Sequence, residues 1–250
     1  MRVSHPPFMT RMLRKIEQRA DLSDDDRAAL LGLPYRLQTV ERTMYFVREG
    51  ERAERSGLIV SGFAFRQKIT ANGARQILSV HVPGDFVDLE GAFLNFADHN
   101  VQALTRCELA IVARADLREL MRAHPRVGMA LWVDTLIDSS IFREWITNVG
   151  RRDARARIAH LLCEFARRLE VAGLAEEYRY ELPMTQEQLG DAMGLTPVHV
   201  NRVLKMLEAD GLITRNKRNI VFPSWERMRD VGDFNPRYLH LDRQESAYVQ

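Results

Sequence analysis

Cysteine is scarce in this chain. Cys107 and Cys163 stand far apart, with no CxxC or Cys/His spacing around either, which excludes a disulfide framework, a zinc knuckle and a cysteine-ligated iron–sulfur cluster. Each reads as a small hydrophobe on an apolar face. Also missing is an apolar run long enough to span a bilayer, and the N-terminal MRVSHPPFMTRML lacks the core of a signal peptide. The expectation is a cytoplasmic protein with no membrane partner. Neither sign of charge dominates: 36 Lys and Arg face 34 Asp and Glu, a net charge of +2. Any nucleic-acid surface must therefore come from local clustering. Catalytic signatures are absent too, with no P-loop, GxSxG elbow, HExxH or paired carboxylates at interpretable spacing, so an enzyme is not expected. What is present is ordinary globular composition, 250 residues with 46% apolar and 28% charged, enough for two domains.

The most informative stretch is Met184–Gly211, MTQEQLGDAMGLTPVHVNRVLKMLEADG. Thr185 followed by Gln188 is a capping-box start for a helix that Gly194 ends. Thr196 is a good N-cap, and Pro197 takes the first position of a second helix, where its missing N–H costs nothing. Val200, Val203, Leu204 and Leu207 fall on one face of that helix, leaving Val198, His199, Asn201, Arg202 and Lys205 on the others. Two short helices joined by a turn, the second with a polar and cationic face, form the arrangement whose second helix enters the DNA major groove. Next, Leu212–Arg215 and Ile220–Phe222 bracket a polar loop as a hairpin carrying Arg215, Lys217 and Arg218.

Upstream, residues 10–33 are predicted helical, with Ser23 as a cap. Short β-rich runs then follow at Thr43–Val47, Gly57–Val60, Phe63–Lys68, Arg75–Val82, Val101–Leu104 and Glu108–Val112, separated by turn residues, and suggest a barrel or sandwich-like roll. Helices are predicted over Asp116–Ala123, Arg126–Asn148 and, capped by Asp153, up to Gly173; Asn148–Asp153 between the last two is a hinge candidate. Pro223–Gln250 is polar and read as a partly ordered tail. In the long helix, Asp134, Asp138, Ile141, Trp145 and Asn148, flanked by Ala130, Val133 and Ile137, suggest a coiled-coil-like seam, the alternative being that the apolar residues pack on the β-roll. There Asp134 and Asp138 would oppose their copies and weaken a dimer.

The order β-roll, long helix, hinge and winged helix-turn-helix resembles the cyclic-AMP receptor protein/fumarate-nitrate regulator (Crp/Fnr) family of bacterial transcription factors. The motifs carrying the resemblance are TQEQLGDAMGLTPVHVNRVLKMLEADGLI, GRRDARARIAHLLCEF and VPGDFV. It implies an α+β fold: an N-terminal double-stranded β-helix (a cyclic-nucleotide-binding-like jelly roll) over 1–125, a dimerisation helix over 126–149, a winged helix-turn-helix over 150–223 and a tail over 224–250. It also implies a homodimer on a pseudo-palindromic operator in double-stranded DNA, with RNA polymerase as a further partner. Arg202 matches the recognition-helix arginine that reaches guanine O6 and N7. Where the family usually carries a Glu, this chain has Val198 behind Pro197, which can meet a thymine methyl but cannot accept from cytosine. Thr196 and His199 match phosphate-approaching positions, and Gln186 sits where the backbone is crossed. The alternative is a ligand-binding regulator whose winged module contacts a protein.

Cyclic-nucleotide-binding relatives grip the ribose and cyclic phosphate with a Gly-Glu pair and an Arg followed by a small residue. This chain reads GDFVDLEGAFLNFADHNVQAL, with no arginine between Arg75 and Arg106, so the charged clamp is missing and cyclic AMP in the usual mode is not expected. His81, Asp85, Asp88, Glu90, His99 and Asn100 remain as candidate effector-pocket residues. Loop carboxylates and imidazoles of this kind read as solvated surface, so no metal and no resident cofactor is predicted, only an unidentified small-molecule effector.

Overall fold

The structure is a computed structural model and describes residues 5–241. Its elements in chain order are α1 (Pro7–Glu17), α2 (Asp24–Leu31), β1 (Arg36–Val40), β2 (Tyr45–Val47), β3 (Arg55–Ser61), β4 (Ala64–Ile69), β5 (Arg75–His81), β6 (Phe86–Val87), β7 (Asn100–Ala103) and β8 (Cys107–Ala113). Then come α3 (Arg114–Ala123), α4 (Pro125–Arg151), α5 (Ala154–Val171), β9 (Arg179–Glu181), α6 (Gln186–Met193), α7 (Pro197–Ala209), β10 (Thr214–Asn216), β11 (Asn219–Val221) and α8 (Trp225–Val231). Two compact units emerge. Of the described residues, the first holds 5–64, His81–Ser139 and 240–241; the second holds Phe65–Val80 and Ser140–Leu239.

In the first unit an antiparallel sheet runs β1-β8-β3-β6, and β2 pairs with β7 across a register shift. Successive strand residues point to opposite faces, and here both faces are buried. Leu58, Ala110 and Val112 join a cluster with Met9, Met12, Ile16, Leu117 and Leu131 of the helices. Their neighbours Ile59, Leu109 and Ile111 join the other cluster, with Phe46, Val87 and Val101. Two-sided burial is why these runs read as continuously apolar rather than alternating. The helical stretch expected over residues 10–33, with Ser23 as a cap, is two helices, the second starting after that cap. Ser23 accepts from Asp26 N–H at 3.2 Å while Asp26 accepts from Ser23 N–H at 3.0 Å, a complete capping box that starts α2.

The second unit is built on α5, which packs against α6, α7, α8 and β9. Asp153 caps it by accepting from Ala156 N–H at 2.9 Å. Helix α4 continues through Gly150 to Arg151, so the break falls at Arg152–Asp153 alone. The stretch after Pro223, read as a tail, is corrected: α8 packs on α5, and Trp225, Phe234 and Tyr238 form a ring cluster with Phe222 and Tyr178. Part of that tail, residues 242–250, lies outside the described residues. At the centre lies Glu164, 2% exposed. It accepts from Trp145 Nε1 at 2.9 Å and Tyr238 hydroxyl at 2.8 Å, with Arg168 at 3.3 Å. Beside it His160 donates from Nδ1 to the Gly232 carbonyl at 3.0 Å, and its Nε2 lies 3.1 Å from the Tyr238 hydroxyl.

The seam proposed for α4 is also corrected. Ala130, Ile137, Ile141 and Trp145 are buried inside the protomer, and Asp138 is half-buried. Asp134 is engaged within the protomer: it pairs with Lys15 at 2.9 Å and Arg19 at 3.5 Å. Burial pushes the Lys15 amine down, but the carboxylates of Asp134, Asp85 and Asp138 outweigh it and hold the amine above its ordinary range. The stripe that faces out is Met129, Trp132 and Leu136, with Ile146 further along, exposed by 48–72%. It has the same three-four spacing in a register displaced from the predicted one.

Candidate nucleic-acid interface

The turn between α6 and α7 is fixed by local chemistry. Thr185 accepts from Gln188 N–H at 3.2 Å and its own N–H donates to Gln188 Oε1 at 2.9 Å, which satisfies two of the orphan amides that open α6. Gly194 ends the helix with φ +66°. Gly190 permits the sharp return, because a Cβ there would sit 2.4 Å from the Leu195 carbonyl oxygen. Thr196 then accepts from His199 N–H at 3.3 Å and starts α7. Val200, Val203, Leu204 and Leu207 are each buried to 2% exposure or less, locking the helix's rotation about its axis.

That rotation decides what faces out. Pro197, Val198, Arg202 and Lys205 are exposed, and His199 and Asn201 half-exposed. Val198 is 81% exposed, an uncommon position for a valine in a solvent-facing first turn. Gln186, at the start of α6, donates to Asn201 Oδ1 at 3.4 Å and so ties the two helices at their outer edge. In the wing, β10 and β11 pair with Arg215 opposite Ile220, and β9 adds a third strand with Tyr180 opposite Ile220. Lys217 holds the tip with φ +55°. Among the described residues, no ion pair or side-chain hydrogen bond engages Arg202, Lys205, Lys217 or Arg218. Arg215 differs: its guanidinium is held by Glu208 of α7, so its charge is spent on anchoring the wing.

Comparison with known proteins meets this geometry at both ends of the chain. Residues 156–231 match the Crp-like helix-turn-helix domain, and residues 37–124 match the cyclic nucleotide-binding domain. The transcriptional activator protein FnrL of Cereibacter sphaeroides is 30% identical over 211 residues, covering 79% of this chain and 84% of that protein. The chain belongs to the Crp/Fnr family. A second relative, the cAMP-activated global transcriptional regulator CRP of Escherichia coli, is 28% identical over 177 residues, covering 70% of this chain and 83% of its own. Among solved structures, FixK2 from Bradyrhizobium japonicum superimposes with a TM-score of 0.74 at 27% identity, covering 80% of this chain and 98% of FixK2.

This Crp/Fnr regulator thus has a cyclic-nucleotide-binding-type β-domain followed by a helix-turn-helix DNA-binding domain, and it is not an enzyme. Its predicted effector-pocket residues divide. His81, Asp85, Asp88 and His99 are all buried rather than solvated. Asp85 turns away to Lys15 at 3.0 Å and the Val82 amide at 2.9 Å, while Asn100 accepts from the Glu49 amide at 3.1 Å. Asp88, Glu90 and His99 converge. His81, on β5, is not part of that group. The two cysteines are buried, and burial raises both thiols, Cys107 to about 11. That is the opposite of a reactive thiolate. Sequence reasoning missed Glu208 as the partner of Arg215; the chain carries no local signal for a pairing across the wing.

Proposed function

We infer that the protein is a sequence-specific regulator that acts in the cytoplasm as a homodimer on a pseudo-palindromic operator, with α7 in the major groove. The observation that carries this reading is the orientation of Arg202: the buried Val203–Leu204 side of α7 directs it outward, beside the exposed Val198. An Arg fork meets guanine O6 and N7 together, and such a pair discriminates by about 1–3 kcal/mol. Val198 would add a methyl contact to a neighbouring thymine, so the half-site shares its guanine with relatives and differs next to it. Lys217 and Arg218 approach the phosphates, which set affinity without reading sequence.

Dimerisation is supported by Met129, Trp132 and Leu136, exposed on α4, the first two lining a groove of 610 Å³ with Phe93 and Met121. Apolar residues at three-four spacing on an open helix face suit a parallel copy of the same helix. The β-domain does not take cyclic AMP in the usual mode, since the cassette between Arg75 and Arg106 contains no arginine for the cyclic phosphate.

The test is operator selection from random duplex DNA followed by gel shift with Arg202→Ala. Wild type should select an inverted repeat, and the variant should lose roughly ten-fold or more of its preference at a single guanine in each half. Selection of no repeat, or an unchanged preference in the variant, would refute the reading.

A further inference from the structure

The group formed by Asp88, Glu90 and His99 lies in the cassette between β6 and β7, outside the DNA-binding unit. Asp88 leaves β6 in the left-handed region, φ 59° and ψ 40°, a conformation that L side chains adopt rarely and that recurs at functional positions. A 3-10 turn, Leu89–Ala92, then brings Glu90 round, and His99 sits immediately before β7. Gly91 lets the Asp88 carboxylate occupy its place, since a Cβ at Gly91 would lie 2.9 Å from Asp88 Oδ2. His99 Nε2 is 3.8 Å from Asp88 Oδ1 and 4.0 Å from Glu90 Oε1. The three ligand atoms all lie within 4.8 Å of one another.

Those separations are too long for hydrogen bonds. They suit donors facing a common centre that would close by about half an ångström on an ion, since ligands about 2.1 Å from one tetrahedral ion are about 3.4 Å apart. The imidazole is oriented for that task. Its Nδ1 lies 2.8 Å from Asp98 Oδ1, and an N–H donated there leaves the Nε2 lone pair on the side of Asp88 and Glu90, the carboxylate–histidine arrangement that supports metal ligands. A cavity of 320 Å³, lined by Phe46, Arg52, Glu54, Arg55 and Ala97, reaches Asp88.

We propose that Asp88, Glu90 and His99 form a binding site for a divalent first-row transition-metal ion, with zinc the best match and positions left open to water or a small anion. An imidazole nitrogen beside two carboxylates disfavours calcium and magnesium, which take all-oxygen shells. This goes beyond the DNA-binding reading and is independent of it.

The test uses the full-length protein after chelator treatment and dialysis, with no DNA present. Zinc is titrated by calorimetry and cobalt by its visible d–d absorption. One ion per chain with a Kd below 100 μM is expected, weakened at least ten-fold in His99→Ala and in Asp88→Asn, and unchanged in His5→Ala, which precedes α1. Circular dichroism checks that each variant is folded, and Glu90→Gln provides a third ligand variant on the more exposed side of the site. Weaker wild-type binding, or equal binding by the folded ligand variants, would overturn the proposal.

Discussion

Replacing Glu164 with alanine should cost as much stability as truncating a buried apolar side chain of α5. The carboxylate is buried and takes hydrogen bonds from the indole of Trp145, the hydroxyl of Tyr238 and the guanidinium of Arg168. Burial, with the Glu164 charge next in size, raises the Tyr238 phenol well above its ordinary range, so it stays a donor at neutral pH. Alanine strands two buried neutral donors at about 1–3 kcal/mol each and removes an anion from beside a largely buried cation, a loss on the order of 3–5 kcal/mol where a buried pair is broken. These effects overlap, so about 3–5 kcal/mol in total is expected, against roughly half that for Glu164→Gln, which keeps one acceptor. Urea unfolding followed by tryptophan fluorescence is a direct assay, because Trp145 and Trp225 both lie in this unit. Trp145→Phe should cost about 1 kcal/mol on the same scale and couple with Glu164→Ala, so that the double variant is less destabilised than the sum. A Glu164→Ala midpoint within 1 kcal/mol of wild type, or strict additivity with Trp145→Phe, would refute the account of the network.

Burial also depresses the His160 imidazole below its usual range, against the raising effect of Glu164. The unfolded chain, with a histidine near 6.5, therefore takes up the proton first. This contribution to stability is full above about pH 6.5 and is lost as pH falls towards the lower folded value, by at most about 1.4 kcal/mol per pH unit. The urea-midpoint gap between wild type and His160→Gln should accordingly narrow between pH 7.5 and 5.5, and a constant gap would contradict it. Gly190→Ala should destabilise the helix pair by about 1–3 kcal/mol and reduce DNA binding, because its Cβ meets the Leu195 carbonyl; full binding at wild-type stability would show that the turn relaxes. Lys217→Ala and Arg218→Ala should each weaken all DNA sequences alike and shallow the log–log salt dependence by about 0.9 per lost phosphate contact. Arg215→Ala should instead lower thermal stability first, through its bond to Glu208.

The helix-turn-helix was legible because its signals are local. Thr185 with Gln188, Gly194, and Thr196 with Pro197 each act within four residues, and the structure places each where the spacing predicted. The recognition face followed from one apolar stripe. What the sequence did not reveal depends on distant partners. On α4 two interleaved stripes carry apolar residues, and packing against distant partners, α1 through Lys15 and Asp134 and α5 through Glu164 and Trp145, decides which one faces inward. Strands β1 and β9 are short and mixed in polarity, so alternation did not single them out. The stretch after Pro223 is polar on average, and its few aromatics acquire meaning only where α5 offers His160 and Glu164. Likewise, Asp88, Glu90 and His99 looked like loop polarity because neither the left-handed turn at Asp88 nor the fit at Gly91 is written in residue type.

The segment beyond the wing sets a practical limit on how the DNA-binding half can be isolated. A fragment stopped at Pro223 keeps both motif helices and all three wing strands, yet it discards Trp225, Phe234 and Tyr238. Its α5 would present the His160–Glu164 face to solvent, along with the apolar ground that Met228 now covers, buried at 0% exposure. The smallest autonomous reader of DNA from this chain therefore extends at least to Leu239, and an affinity measured on anything shorter would report a damaged scaffold rather than the recognition helix.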